Sequence, residues 1–287
     1  MAVLIDITDC GPRAEQDTRG RTPARLALGI AGIGAWTRGA PDWPSLRALL
    51  LGEAGLRKDA PSRPAAIALP AGERRRAPES VLLAAEIAGQ ACAMARRDGA
   101  SLPCVFASTQ GELAITDYMC ATLSVAPHEL SPTKFHNSVH NAPAGYWTIA
   151  AQCTAGSSAV SGYHASFGAG LLEAATLAVA DNTPVLFAAY DTAASGPLIE
   201  MARTMRAFGA ALVLLPGAHA SVPRLSLALR AQDAAVTPAP DCVAELARDN
   251  PLTAHALAFL NALAGDAPAR LTLPAASGLL LDMEVQP

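Results

Sequence analysis

Apolar and polar positions follow one another along the chain in blocks that predict strands alternating with helices. The run LALGIAGIGAW at 26–36 is almost wholly apolar, which is typical of a buried strand. At 79–97 the apolar residues recur at helical spacing, and Pro78 stands at a helix start, where proline is tolerated. Further strands are predicted at 105–108, 184–190, 210–215, 225–229 and 278–281, and further helices at 46–52, 110–120 and 252–263. This alternation predicts an α/β layered domain.

The segment 134–191 predicts a loop, a helix, a short strand, a sharp turn, a helix and a strand, in that order. His164 stands in the sharp turn. The helix after it carries an apolar stripe, and its Gly168 and Gly170 permit a close approach of another backbone. The first-turn amides of such a helix make a positive end that suits an anion.

The two ends of the chain differ in pattern. Residues 1–24 are predicted to be an N-terminal extension, in which 3–7 has the pattern of an edge strand and 10–23 is polar and interrupted by Gly and Pro. Residues 25–287 carry the regular pattern and are predicted to form the domain.

Composition narrows the class of protein. The chain has 287 residues, of which 51% are apolar, and a formal net charge of −4. No apolar run reaches the length of a membrane span, and the N-terminus does not resemble a signal peptide. The six cysteines form no CxxC pair, so we expect a reduced, cytoplasmic protein. The short arginine clusters at 74–76 and 96–97 are interpreted as solvated faces and not as a nucleic-acid surface; docking of an acidic partner is the alternative.

Three familiar site patterns are wrongly spaced or incomplete in this chain. Gly29, Gly32 and Gly34 follow the order G-x-x-G-x-G, which is not the dinucleotide-binding order. No G-x-S-x-G surrounds a serine near the turn, which argues against a hydrolase elbow. His136 and His140 are spaced for chelation on a helix, but no third ligand accompanies them. Neither a metal nor a cofactor is therefore expected.

The block FHNSVHNAPAGYW at 135–147 and the strand–turn–helix around His164 resemble the N-terminal half of a β-ketoacyl synthase. In that family the turn carries a cysteine, and counting on from the segment 141–145 brings His164 to the cysteine position without a gap. The resemblance implies a thiolase-like (ketosynthase-like) layered α/β/α fold with a shortened C-terminal half. Residues 25–217 would match the family's N-terminal half, and 218–287 would be a reduced C-terminal part.

The same resemblance implies that the usual catalytic groups are missing. A ketosynthase uses a cysteine thiolate and two histidines from its C-terminal half, one of them in an H-G-T-G-T motif. Here Cys153 lies too far upstream, and His219 and His255 stand in other contexts. No catalytic residue is therefore assigned. His164 is interpreted as the residue of a pseudo-active site, with the neighbours Tyr163, Ser166 and Phe167.

The block at 135–147 supplies candidates for an acyl pocket. His136, His140 and Asn141 are predicted either to satisfy buried backbone groups or to face the acyl channel, together with Phe167. Ser166 is expected to cap the backbone of the turn.

The chain resembles the short ketosynthase-like proteins of aryl polyene systems, which are similar in role to the chain length factors of type II polyketide systems. This implies a non-catalytic subunit that forms a heterodimer with a catalytic ketosynthase. The pair would act on chains bound to an acyl carrier protein, in aryl polyene, polyketide or fatty-acid-type elongation. Two alternatives stay open: an acyltransferase or thioesterase-like enzyme that uses His164, and a homodimeric acyl-binding module.

Overall fold

The computed structural model describes residues 24–231 and 234–287. The strands are β1 (Leu26–Thr37), β2 (Cys104–Ala107), β3 (Ser157–Val160), β4 (Val185–Asp191), β5 (Phe208–Pro216), β6 (Arg224–Ala231), β7 (Ala269–Ala276) and β8 (Leu279–Gln286). The helices are α1 (Trp43–Leu50), α2 (Ala71–Arg76), α3 (Glu79–Ala95), α4 (Leu113–Val125), α5 (Pro132–His136), α6 (Ala142–Ala150), α7 (Ser166–Ala180), α8 (Leu198–Ala202), α9 (Ala244–Asp249) and α10 (Pro251–Ala264). The strand predicted at 3–7, and the extension 1–24 up to residue 23, lie outside the described residues.

All eight strands join one mixed sheet in the order β3-β2-β4-β5-β1-β6-β8-β7. Strands β3, β2 and β4 run parallel to one another, and every other neighbouring pair is antiparallel. The carboxyl ends of the three parallel strands therefore meet at one rim of the sheet. Strand β3 is an edge strand, which pairs only with β2 in the described part of the chain.

Helices cover both faces of the sheet and make two apolar cores. Helices α1, α7, α9 and α10 pack on one face, where the ring of Phe167 lies 5.5 Å from that of Phe187 and 5.9 Å from that of Phe259. Helices α3 and α6 pack on the other face, around Trp36 and Tyr190. The result is a layered α/β/α arrangement. No helix in the described ranges is both long and apolar enough to cross a bilayer.

The glycines of β1 allow α3 to lie directly on the strand. A Cβ atom added at Gly34 would collide with the carbonyl oxygen of Ile87, and one at Gly32 would collide with that of Ala91. Both carbonyl groups belong to α3. The run of glycines thus serves helix–strand packing, which agrees with the rejection of a dinucleotide loop.

The strands predicted within the described residues are present, but two features of the C-terminal part differ from the expectation. The predicted strand at 278–281 is longer, since β8 continues to Gln286 with Asp282 and Glu284 alternating with buried residues. Strand β7 was not predicted; it contains Pro274, and proline is unfavourable inside a sheet. The structure accommodates this proline on the outermost strand of the sheet, at a shift in the β7–β8 register. The short helices α2, α8 and α9 were not predicted either.

Candidate functional site

The turn between β3 and α7 is a tight, side-chain-fastened elbow. Tyr163 lies in the left-handed region with φ of +52°, which is uncommon for an aromatic residue. The Ser166 hydroxyl donates to the Tyr163 carbonyl oxygen at 2.7 Å and accepts from the Gly162 amide at 3.0 Å. These two bonds hold the strained backbone in place. The hydroxyl of Ser166 is thereby committed to the backbone of the turn.

His164 is exposed at this elbow, directly before the start of α7. Its ring lies 3.9 Å, centroid to centroid, from the ring of Tyr163. The cysteines of the described residues all lie elsewhere: Cys92 and Cys104 are buried, Cys153 is half-buried, and Cys120 and Cys242 are exposed. Burial raises the pKa of the Cys92 thiol to about 11. Within the described chain the elbow thus presents an imidazole and no thiol.

A second histidine, His255 of α10, approaches the elbow. Burial lowers the pKa of His255. Two smaller effects come from His164: a hydrogen bond to its backbone raises the pKa of His255, and the charge of its ring lowers it. Nδ1 of His255 is buried and has no hydrogen-bond partner among the described residues. The site therefore holds two neighbouring imidazoles, and burial favours the neutral form of His255. Sequence reasoning missed this pair, because nothing around residue 255 indicates that α10 packs beside the elbow.

A buried carboxylate lies at the carboxyl ends of the parallel strands. Asp191, at the end of β4, accepts through Oδ1 from the Ser108 hydroxyl at 2.7 Å and from the Thr109 amide at 2.8 Å. Its Oδ2 is buried without a partner in the described structure. Burial raises the pKa of Asp191 to about 6, and the bonds from Thr109 and Ser108 partly oppose this rise. This carboxylate was also missed, since it reads in sequence as the polar end of a strand.

Hydrogen bonds connect the buried carboxylate with the elbow. The Ser161 hydroxyl, just after β3, donates to the Thr109 carbonyl oxygen at 3.0 Å. Nε2 of His140 lies 3.2 Å from the Ser108 carbonyl oxygen, and this imidazole also favours the ionised form of Asp191. His140 therefore belongs to a polar network under the elbow, in line with the general position of ligand sites at the carboxyl ends of parallel strands.

His136 and Asn141 lie elsewhere, in the wall of a cavity of about 650 Å³ beside α2 and α6. Its lining is mostly apolar and consists of Leu69, Pro70, Glu73, His136, Val139, Asn141, Ala142, Gly145, Tyr146, Ile149, Ala150 and Gln152. The structure thus separates the two predicted histidines, His136 lining the cavity and His140 lying in the network. No cluster of three His, Cys, Asp or Glu side chains that could hold a metal ion occurs in the described ranges.

Phe167 takes no part in either place. Its side chain is 1% exposed and packs in the core between β4 and α10. The predicted residues are therefore distributed over four positions: Tyr163, His164 and Ser166 at the elbow, His140 beneath it, His136 and Asn141 in the cavity wall, and Phe167 in the core.

Comparison with known proteins places this fold. Residues 52–273 match the family described as β-ketoacyl synthase, N-terminal domain. The structure of the ketosynthase ApeO in complex with its chain length factor ApeC, from Xenorhabdus doucetiae, is similar with 25% identity and a TM-score of 0.68. That match covers 90% of this chain and 99% of the matched chain.

Two more distant structures share the fold. The ishigamide ketosynthase/chain length factor is 14% identical, with a TM-score of 0.65 over 91% of this chain and 99% of that chain. The AntDE:AntF complex, a type II polyketide acyl-carrier protein with its ketosynthase, is 12% identical, with a TM-score of 0.66 and the same coverage. No curated protein sequence matches the chain. The predicted thiolase-like fold is confirmed by these structural matches.

Proposed function

The chain belongs to the β-ketoacyl synthase family, and we propose that it acts there as a non-catalytic, chain-length-factor-like subunit paired with an active ketosynthase. The elbow carries this proposal: the imidazole of His164 is exposed there, and counting along the sequence from 141–145 matches this residue to the family's nucleophilic cysteine. The similarity to a ketosynthase–chain length factor complex supports the choice of partner.

The surroundings of His164 favour a role without covalent chemistry. The ring of His164 lies against that of Tyr163 at an interplanar angle of 59° and makes no hydrogen bond to an acid among the described residues. An imidazole that acts as a nucleophile or base gains much of its strength from an orienting partner. A packing and shaping role at the elbow is therefore the better interpretation.

A continuous surface around β3 supports pairing with another subunit. Strand β3 has a free edge in the described structure, and α6 packs next to it. Apolar side chains of the segment 135–150, which includes α6, are exposed, among them Ile149 (79%), Phe135 (57%) and Val139 (50%). An exposed sheet edge flanked by apolar side chains is a typical site for the addition of a second chain. We call this surface, made of β3 and residues 135–150, the β3 face.

Helix α4 gives a second indication of a missing partner. Its sequence, LAITDYMCATLSV, is largely apolar, yet only Leu113 and Ile115 are buried. Val125 is 85% exposed and Leu123 is 49% exposed. An apolar helix with so little cover is expected to be buried by another protein.

The substrate class follows from the partner. We propose that the pair extends chains carried by an acyl carrier protein, in aryl polyene, polyketide or fatty-acid-type elongation. The AntDE:AntF complex, which contains an acyl-carrier protein, supports this part of the proposal. The cavity of about 650 Å³ beside the β3 face offers the apolar lining that an acyl or polyene chain requires.

Co-expression with the ketosynthase encoded nearest to this gene tests the proposal. Native mass spectrometry should show a one-to-one complex, and condensation of carrier-bound substrates should require both chains. Because His164 has no covalent role, the His164→Ala complex should retain condensation within about twofold of the wild-type rate. A homodimer that ignores the ketosynthase would contradict the proposal and favour the acyl-binding module.

One observation favours a second candidate, an acyltransferase or thioesterase-like activity. The neutral His255 beside His164 could accept a proton, as a general base does. The purified chain alone would then hydrolyse or transfer an acyl group from a thioester. Loss of that turnover in both His164→Ala and His255→Ala, with unchanged thermal unfolding, would establish this enzyme and reject the non-catalytic subunit.

A further inference from the structure

Three arginines surround a cup on the surface beside α2. Arg63, Arg74 and Arg75 line this concavity of about 360 Å³. The remaining lining residues are Pro64, Ala65, Ala71 and Leu82, so the floor between the guanidinium groups is apolar. We call this feature the arginine cup. It lies on the opposite side of α2 from Glu73, which lines the larger cavity.

The positive charge of the cup is not neutralised by ion pairs within the described structure. Arg63 donates to the Ala77 carbonyl oxygen at 3.4 Å, and Arg74 donates to that of Ala65 at 3.5 Å. Both bonds orient a guanidinium group without cancelling its charge. The other two charged residues of α2 form an ion pair with each other, in which a guanidinium nitrogen of Arg76 lies 2.8 Å from Oε1 of Glu73.

Two carboxylates lie near the cup without lining it. Glu79 is close enough to Arg63 for the guanidinium to lower its pKa, although burial and the charge of Glu112 raise that pKa more strongly. Glu86 accepts from the Ala66 amide at 2.6 Å and from Gln90 Nε2 at 2.9 Å. Neither carboxylate is within ion-pair distance of Arg74 or Arg75. The cup therefore remains a locally positive concavity.

The loop that supplies Pro64 and Ala65 to the cup is held in place at the next residue, Ala66. Ala66 adopts a φ of +47°, is fully buried, and is fastened by the bond from its amide to Glu86 of α3. Its carbonyl oxygen accepts from the Leu69 amide at 3.0 Å. A strained residue that is secured on both sides indicates a pre-organised loop, which lowers the entropic cost of binding.

We propose that the arginine cup binds a phosphate ester with a short aliphatic stem. Guanidinium groups match the geometry and charge of phosphate oxygens and often bind them in pairs. The volume is in the range of small-ligand sites, and the apolar floor gives the stem a surface to cover. The phosphoryl group can belong to a free metabolite or to a carrier-bound arm. This inference does not rest on the proposed pairing with a ketosynthase.

Calorimetric titration with n-butyl phosphate in 0.15 M salt tests the site, and Arg75→Gln is the informative variant. Arg75 is exposed and makes no hydrogen bond or ion pair within the described structure, so its replacement should leave folding intact. The variant should bind n-butyl phosphate about tenfold more weakly, as expected for the loss of a charged hydrogen-bond donor. Inorganic phosphate should bind the wild type more weakly than n-butyl phosphate.

Arg76→Gln is the matched control, because it removes the same charge from the same helix outside the cup. It should change the affinity by less than about twofold, since surface fields are screened at this salt concentration. Equal weakening in the two variants would show that only general surface charge matters and would overturn the proposal. Absence of binding of n-butyl phosphate to the wild type at millimolar concentration would overturn it as well. Equal affinities for inorganic and n-butyl phosphate would overturn the role of the stem.

A second titration distinguishes a free phosphate ester from a carrier-bound arm as the ligand of the cup. Pantetheine 4′-phosphate, a monoester, is compared with an acyl carrier protein in which a serine holds this phosphate as a diester. Binding of the free ester alone identifies a small-molecule site. Binding of the carrier-attached group, weakened about tenfold in Arg75→Gln and unchanged within about twofold in Arg76→Gln, identifies a carrier-bound arm.

Discussion

At the scale of single residues, the site is defined by side chains whose neighbours come from distant parts of the chain. Asp191 illustrates this: it is 3% exposed, and its partners Ser108 and Thr109 follow a different strand. Ionising Asp191 costs free energy because burial removes the charge from water. Its Oδ2 also has no hydrogen-bond partner in the described structure. The raised pKa of about 6 expresses that cost.

This shift makes a prediction for stability against pH. The folded-state pKa of Asp191 lies above its ordinary value of 3.8, so the folded protein binds more protons than the unfolded chain between about pH 4 and 6. The contribution of Asp191 to the free energy of unfolding is therefore greatest below pH 4 and is lost as the pH rises through about 6. The loss is at most about 3 kcal/mol. Urea unfolding from pH 4 to 8 measures it.

Comparison with Asp191→Asn isolates the effect from other titrating groups. The variant cannot ionise, so its stability relative to the wild type should rise between pH 4 and 6. Ser108→Ala is a useful second variant: it removes a bond that lowers the Asp191 pKa and should move the transition to higher pH. A constant difference between wild type and Asp191→Asn at every pH would contradict the assignment.

At the scale of elements, the packing of α3 on β1 depends on the absence of side chains. Gly32 and Gly34 let the helix backbone approach the strand so closely that a methyl group has no room. On the opposite face Gly168 lets α7 reach the backbone of β7 at Pro274 in the same way. The helices thus approach the sheet most closely where the sequence has glycine. Elsewhere side chains fill the space between helix and sheet.

The variant Gly34→Ala tests this close packing. The added Cβ would collide with the Ile87 carbonyl oxygen, so α3 or β1 must shift. We expect the free energy of unfolding to fall by about 1–3 kcal/mol, as for other overpacked cores. Chemical denaturation monitored by circular dichroism measures the change.

Gly145→Ala is the control for that experiment. It adds the same methyl group within α6, where no heavy atom lies within 4 Å of the new Cβ. Alanine is the better helix former, so this variant should gain about 0.5–1 kcal/mol. Opposite signs for the two variants would confirm that space, and not glycine content, controls the outcome; equal signs would refute it.

At the scale of the whole molecule, two well-packed cores contrast with an uncovered β3 face. Buried residues are almost all apolar on both sides of the sheet, whereas Ile149, Phe135 and Val139 face solvent beside a free strand edge. Such a distribution is expected of a subunit whose stable form includes a partner.

A charge placed on the β3 face should therefore weaken association. Ile149 is 79% exposed, so Ile149→Arg should leave thermal unfolding of the isolated chain unchanged within about 0.5 kcal/mol. Association with the partner ketosynthase should weaken at least about tenfold, because the guanidinium would be buried without a counter-charge. Analytical ultracentrifugation of the mixed chains measures this affinity.

Val179→Arg provides the comparison on the other side of the molecule. Val179 is also partly exposed but lies on α7, which packs on the opposite face of the sheet from α6. Its replacement should not change the affinity. Similar losses for both variants would argue for an effect on folding or charge and against a specific β3 face.

Much of the fold was predictable because it rests on local patterns. The buried strand at 26–36, the helix at 79–97 and the elbow around His164 each follow from the periodicity or turn chemistry of a short segment. Strand β7 was not predictable, because Pro274 is acceptable only where the sheet happens to end. The spacing of the β1 glycines was enough to exclude a dinucleotide-binding loop. It did not indicate that α3 is the helix that packs against them.

The sequence by itself determined most of the order of strands and helices, the family resemblance and the position of His164 in the turn before a helix. Only the tertiary structure decided that His255 lies beside His164, that Asp191 is buried beneath the elbow, and that His136 and His140 point to different places. Periodicity records which face of an element is buried. It does not record which distant element covers that face, and the pKa shifts and polar contacts of the site depend on that long-range pairing.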